Sequence, residues 1–447
     1  MGKVELRLPI EMFHFSKDRR HDSETAETGF GGTFRALRYR NYRLIWIGSF
    51  LSSIGTWMQA VAQGWLVREL TASTALIGFV SFAGSFPQIA FSLFGGVYAD
   101  LFNRRKLLIV SEAVHMFNAA VLGALVLLRD WKLWDGLSLW HVIAITFVSE
   151  VSFALADPAF RALPLDLVRR EHLSSAVALR STQFSLSRII GPTIGGLLFG
   201  VIGIAGCYFL NSASFLAVIV ALRMLRLPPW RAPDGLNTRE VWRQMVAGVR
   251  YVRRRPRVRA LLGVAAVISV CGTPYFIFLP VFARDVLNQE AGGLARLWVA
   301  QGAGAFLSAL VMAYSLSNSR RRGQLLLAGN IFFGLAIAAF ALSRDFALSC
   351  FFLTLVGAGI VSINTTLTTL LQTLAQDEMC GRVMSIYSLA SVGLQPVGGL
   401  LIGALADLIG WRWGRHGAQW ALAAGGVVIV LFAIRATLVS PKVKELE

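Results

Sequence analysis

The chain has 447 residues, of which 55% are hydrophobic and 15% charged, where soluble domains carry about 25% charged residues. Its mean hydropathy is +0.60. These values exclude a soluble enzyme, a disordered chain and a disulfide scaffold, and they point to a polytopic membrane protein. The net charge of +18 would suggest nucleic-acid binding in a soluble protein. Here the basic residues lie in short segments between apolar spans, so no nucleic acid is expected as a partner. Cys207, Cys271, Cys350 and Cys380 fall in or beside apolar stretches without metal-ligand spacing, and they read as small apolar fillers.

Residues 1–33 carry both signs of charge and no apolar stretch ahead of a small-residue cleavage site, so they read as a cytoplasmic tail, not a signal peptide. A membrane helix needs about 20 apolar residues. Charge-poor stretches lie between Arg43 and Arg68, between Glu69 and Asp100, between Lys106 and Arg129 with only Glu112 inside, and between Asp135 and Asp157 with only Glu150 inside. The next stretch, from Arg180 to Arg223, is interrupted only by Arg188. It is long enough for two spans, with a hairpin expected at Gly203–Gly206. A first six-helix bundle is therefore predicted over 34–226.

A linker follows at 227–258, marked by Pro228, Pro229, Pro233 and Gly235. Its second part, Arg239–Arg254, places Val241, Met245, Val249 and Val252 on one side and predicts a helix lying on the membrane surface. Six more apolar stretches give a second bundle over 259–438, and residues 439–447 form a tail. The predicted fold is an all-α membrane protein with 12 transmembrane helices. With the N-terminus inside, the inner segments carry thirty-two Lys and Arg against eight outside. That asymmetry places both termini in the cytoplasm.

The halves repeat one another. Arg104-Arg105-Lys106 follows span 2, and Arg320-Arg321-Arg322 follows span 8. Gly191-Pro192-Thr193-Ile194-Gly195-Gly196 in span 5 has a counterpart in Gln395-Pro396-Val397-Gly398-Gly399 of span 11. An even number of spans per half makes these parallel repeats, an arrangement of one large transporter class.

Between spans 2 and 3 stands Gly95-Gly96-Val97-Tyr98-Ala99-Asp100-Leu101-Phe102-Asn103-Arg104-Arg105-Lys106. The glycines let two helices approach closely. Asp100, ending a helix, is placed to pair with Arg104 or to face the positive N-terminal end of a neighbouring helix. The segment resembles motif A of the major facilitator superfamily, with Leu101 where a basic residue is common and Asn103 where glycine is common. Gly55-Thr56-Trp57-Met58-Gln59, Gln63-Gly64-Trp65-Leu66-Val67, Asp157-Pro158-Ala159-Phe160-Arg161-Ala162 and Gly381-Arg382-Val383-Met384-Ser385 look like the transmembrane secretion effector branch, which includes enterobactin exporters and macrolide efflux proteins. The resemblance covers about 33–440. It implies two bundles rocking about a central site, with Gly96, Asp100, Arg104, Arg105 and Arg382 as gating residues near the start of span 11.

Polar residues within spans are costly and mark pathways. At about 100° per residue, Ser52, Thr56, Gln59 and Gln63 share one face of span 1. Thr146, Glu150, Asp157 and Arg161 share one face of span 4, and Ser362, Thr365, Thr366 and Thr369 line span 10, with Asn364 and Thr368 beside them. Span 7 offers Tyr275, Phe276 and Phe278 between Pro274 and Pro280, which suits a bending helix. The resemblance implies that spans 1, 4, 7 and 10 line the central cavity. Glu150 and Arg188 fall at similar depth and read as an ion pair, with either a proton-carrying or a structural role. Glu112 and His115 sit three residues apart in span 3, which is peripheral in the family.

No phosphate-binding loop is present, no cofactor is expected, and the chain does not read as an enzyme. The reading is a proton-coupled exporter of an amphipathic small molecule (a siderophore, macrolide or drug), monomeric, in the bacterial cytoplasmic membrane. Gln59, Gln63, Glu150, Asp157, Arg188, Tyr275 and Asn364 are its expected substrate-binding or proton-coupling residues. Import, or flipping of a lysophospholipid on the same fold, is the alternative.

Overall fold

The computed structural model describes residues 34–101, 103–225, 247, 249–318, 322–413 and 416–439. The N-terminal tail, the C-terminal tail beyond 439 and most of the expected surface helix Arg239–Arg254 lie outside the described residues. The first bundle contains α1 (Arg40–Leu70), α2 (Thr74–Leu101), α3 (Arg104–Asp130), α4 (Leu139–Leu167) and α5 (Leu173–Met224). The second contains α6 (Pro256–Val286), α7 (Ala291–Asn318), α8 (Arg322–Leu342), α9 (Phe346–Leu374), α10 (Met379–Arg412) and α11 (Gly417–Val439). Among the described residues, 10 helices are long and apolar enough to cross a membrane.

Local chemistry explains the interruptions. Gly203 has φ +66° inside α5, a conformation glycine adopts without steric cost, so α5 breaks at the start of the expected hairpin. The backbone of α6 opens into π turns at Ile268–Gly272 and Phe282–Val286, flanking Tyr275–Val281. Pro274 lacks an N–H and crowds the carbonyl of Val270, four residues back and inside the first π turn. A third π turn, Leu389–Gly393, precedes Gln395-Pro396 in α10. Asn103 caps α3 by accepting from the Lys106 N–H at 3.3 Å, and Asp345 caps α9 through the Leu348 N–H at 2.8 Å.

Within the first bundle α1 packs on α5, α2 on α4, and α3 on both α4 and α5; within the second, α7 packs on α9, α8 on α9 and α11, and α10 on α11. The bundles meet along α2–α10 and α5–α7. Small residues allow this approach. A Cβ on Gly78 would strike the Gly399 backbone, one on Gly403 the Thr74 carbonyl, and one on Gly196 the Ala295 side chain. Large apolar groups such as Phe117, Leu197 and Val201 are exposed on the perimeter, as a lipid solvent requires. Arg104, Arg105, Lys106, Arg223 and Arg255 mark one end of the molecule, the basic face. The α1–α2 and α6–α7 connections lie at the opposite face, where Arg68 of the first bundle pairs with Asp285 of the second at 2.6 Å.

The same close packing acts inside the second bundle, where Gly304 lies against the Thr354 carbonyl and Gly357 against the Gln301 carbonyl. Gly304→Val is expected to lower the melting temperature of the purified protein clearly, because backbone must move, at a cost of about 1–3 kcal/mol. Gly263→Ala, whose Cβ meets nothing nearer than 3.9 Å, is expected to leave it nearly unchanged.

Candidate functional site

Arg188 projects from the middle of the first half of α5 towards the meeting of the two bundles. Its guanidinium carbon lies 4.5 Å from the ring centre of Phe276 on α6 and 5.5 Å from that of Trp57 on α1. Trp298 on α7 completes the aromatic wall, 5.1 Å from Phe276 and 6.4 Å from Trp57 between centroids. Tyr275 stacks on Phe276 at 4.4 Å. Its hydroxyl is buried without a hydrogen bond of normal geometry, as is Arg188 Nε. Groups from both bundles thus build one cluster around a single cation.

The expected ion pair between Glu150 and Arg188 does not form: no hydrogen bond or salt bridge joins them. The helix faces explain why. Thr146, one turn before Glu150 on α4, receives a hydrogen bond from Gln63 Nε2 at 3.3 Å and packs against Gly84 of α2. That face of α4 looks into the α1–α2 crevice, whereas Arg188 looks towards α1 and α6. Energetics permit the separation. Insertion of a charge costs about 2.5–3.5 kcal/mol, and a desolvated cation–π contact contributes about 2 kcal/mol. Two rings therefore hold Arg188 without a carboxylate. Glu150 has no partner among the described residues. Glu112 Oε2 on α3 is likewise buried without one, while His115 bonds the Ser111 carbonyl at 2.7 Å.

The span 1 stripe divides between two neighbours. Gln59 Oε1 accepts from Asn211 Nδ2 of α5 at 2.6 Å, and Gln63 turns to α4. In span 10, Ser362 bonds Ser308 of α7 at 2.8 Å and Thr366 is buried, so this side is packing surface. Asn364 is exposed and Thr368 half-buried on the other side, and Asn364 Oδ1 accepts from the Tyr387 hydroxyl of α10 at 3.3 Å. Asp157 lies apart from the Arg188 cluster, nearer the basic face. It pairs with Arg161 at 2.6 Å and stands 3.8 Å from Arg180. Arg180 in turn covers the Phe160 ring at 5.0 Å and lines a small recess with Tyr42, Trp46 and Gln183.

At the basic face Arg104 pairs with Asp166 at the end of α4, 3.0 Å away. The motif thereby ties α3 to α4. Arg105 donates to the Arg223 carbonyl at the end of α5. Gly96 and Asp100 lie in the last turns of α2, and their side chains fall outside the description. Arg382 donates to Met379 Sδ of its own helix at 3.2 Å. Trp298 beside Arg188 and Asn211 against Gln59 were not expected in the site. Buried Asn211 is a polar residue inside an apolar span, a signal the sequence did carry; Trp298 carried none.

The transmembrane secretion effector family model matches residues 31–443. The multidrug efflux pump Tap of Mycolicibacterium fortuitum is 26% identical over 379 residues, 82% of this chain and 89% of that protein. Macrolide efflux protein A of Streptococcus pyogenes is 22% identical over 92% of this chain and 98% of its own length. The enterobactin exporter EntS of Shigella flexneri is 27% identical, covering 88% and 92%. Among solved structures, a bacterial homologue of the human lysosomal transporter Spinster, inward-facing and occupied, superposes with a TM-score of 0.71 at 14% identity, covering 91% of this chain and 98% of that one. The nucleoside transporter NupG superposes at 0.67 with 10% identity, covering 89% and 98%. The chain therefore belongs to the transmembrane secretion effector family, within the major facilitator superfamily.

Proposed function

We propose that this chain is a proton-coupled exporter that moves an amphipathic small molecule by alternating access. Two six-helix bundles, twelve spans in all, rock against each other in the bacterial cytoplasmic membrane, with the basic face and both termini in the cytoplasm. One chain is a complete transport unit. The observation that carries this reading is the Arg188 cluster. A cation without a carboxylate partner is held mid-span by rings from both bundles, so any rocking motion rebuilds its surroundings. The efflux activity of the drug, macrolide and enterobactin exporters to which the chain is similar supports the outward direction.

In this mechanism Trp57, Phe276 and Trp298 offer apolar area to the substrate, and Arg188, Tyr275 and Asn364 offer polar contacts to it. Gln59 and Gln63 set the spacing of α1 against α5 and α4. Glu150, without a partner, takes up a proton at one face of the membrane and releases it at the other. Asp157 orders Arg161 and Arg180 at the cytoplasmic mouth. Gly96, Asp100, Arg104, Arg105 and Arg382 close that mouth when the opposite face opens.

Uptake of hydrophobic dyes, macrolides and siderophores into inside-out vesicles tests the coupling. Under an imposed pH gradient, accumulation of at least one compound is expected. It should disappear with an uncoupler and fall to background in Glu150→Gln. Accumulation that survives both treatments contradicts proton coupling. In the same assay Arg188→Lys is expected to reduce transport about tenfold or more, because a compact ammonium cannot lie flat against two rings as a guanidinium does. The melting temperature should remain near that of the parent. Full activity in Arg188→Lys would remove Arg188 from the site.

A further inference from the structure

Asp407 lies near the end of α10, in the second bundle, at the face opposite the basic one. Its carboxylate crosses to the first bundle and receives the start of α2. Oδ2 accepts from the Ser73 hydroxyl at 2.5 Å and from the Ala75 N–H at 3.0 Å. Oδ1 accepts from the Thr74 N–H at 2.8 Å and also from the Thr74 hydroxyl. The first N–H groups of a helix have no partner within it and carry positive partial charge, and charge-assisted bonds to them are strong. Ser73 Oγ meanwhile accepts from the Leu76 N–H at 3.2 Å, so one carboxylate from the other bundle completes the cap of α2. The backbones are close enough for this because position 403 is glycine: Thr74 Oγ1 also donates to the Gly403 carbonyl at 3.2 Å. The Arg68–Asp285 pair at 2.6 Å reinforces the same closure.

The sequence carries a second, independent sign. Gly403-Ala404-Leu405-Ala406-Asp407-Leu408 matches Gly96-Val97-Tyr98-Ala99-Asp100-Leu101 at four of six positions, with Arg412 and Arg105 at the same further offset. The two copies end α2 and α10, which pack on each other and point in opposite directions. One aspartate therefore stands at each face.

We infer that Asp407 is the latch of the face opposite the basic one. It holds the two bundles shut there by capping α2 and releases α2 when that face opens, so the α2–α10 pair carries one aspartate latch per face. This inference rests on the rocking mechanism proposed above, and its test reads conformation, not transport.

Spin labels at Leu133→Cys and Ala347→Cys, exposed at the opposite face of the first and second bundles, would report the opening in the full-length protein after replacement of its four cysteines. Pulsed dipolar measurements in lipid nanodiscs should resolve a short and a long distance. In Asp407→Asn the long-to-short ratio should rise about tenfold or more, since the charge-assisted bonds to the start of α2 are lost. Ser73→Ala, which removes a single hydroxyl and needs no refolding of the helix end, should raise it by a smaller factor. Asp100→Asn should lower it. An unchanged ratio in both Asp407→Asn and Ser73→Ala overturns the latch while leaving the rocking reading intact. If Asp407→Asn does not yield monodisperse protein, an unchanged ratio in Ser73→Ala decides against the latch alone. A single distance in every variant overturns both.

Discussion

Everything in this structure depends on how two helical bundles touch inside a medium that gives them little reason to stay together. Lipid is as apolar as the helix surfaces, so association rests on close van der Waals packing and on a few polar bonds. At α2–α10 the packing is almost backbone on backbone, through Gly78, Gly399 and Gly403. At α5–α7 Gly196 admits Ala295 in the same way. Arg68–Asp285 and the Asp407 cap bond across the bundles at one face. Close backbone contact, bonded at one face, is the joint on which the proposed rocking turns.

The site follows from that joint. Arg188 is held by rings that belong to different bundles, Trp57 in the first and Phe276 in the second. In the proposed rocking motion, separating the bundles would take one ring away from the cation. Glu150 has no partner among the described residues. The two charges are separated in this conformation by the direction of their helix faces.

Much of the fold was legible in the sequence because the bilayer imposes length and charge rules that act locally. Charged residues bound the helices, Gly203 breaks α5, and the backbone of α6 opens into a π turn just before Pro274. The partners of the polar residues were not legible. Gln59 meets Asn211, 152 positions away, and Arg104 meets Asp166 at the end of α4. Helical periodicity states which residues share a face but not which helix that face meets. The Glu150–Arg188 pair does not form for this reason: similar depth in two helices does not make their side chains face each other. Asp407 carries no span-internal charge signal, although its surroundings repeat the motif around Asp100.

The most direct test of alternating access exploits the Arg68–Asp285 contact. Arg68→Cys with Asp285→Cys, in a background lacking the native cysteines, places two thiols where the bundles touch at the face opposite the basic one. The account predicts that oxidation of the folded protein abolishes export and that reduction restores it, because a face that cannot open cannot release substrate. Export at an undiminished rate with the disulfide fully formed would contradict the account.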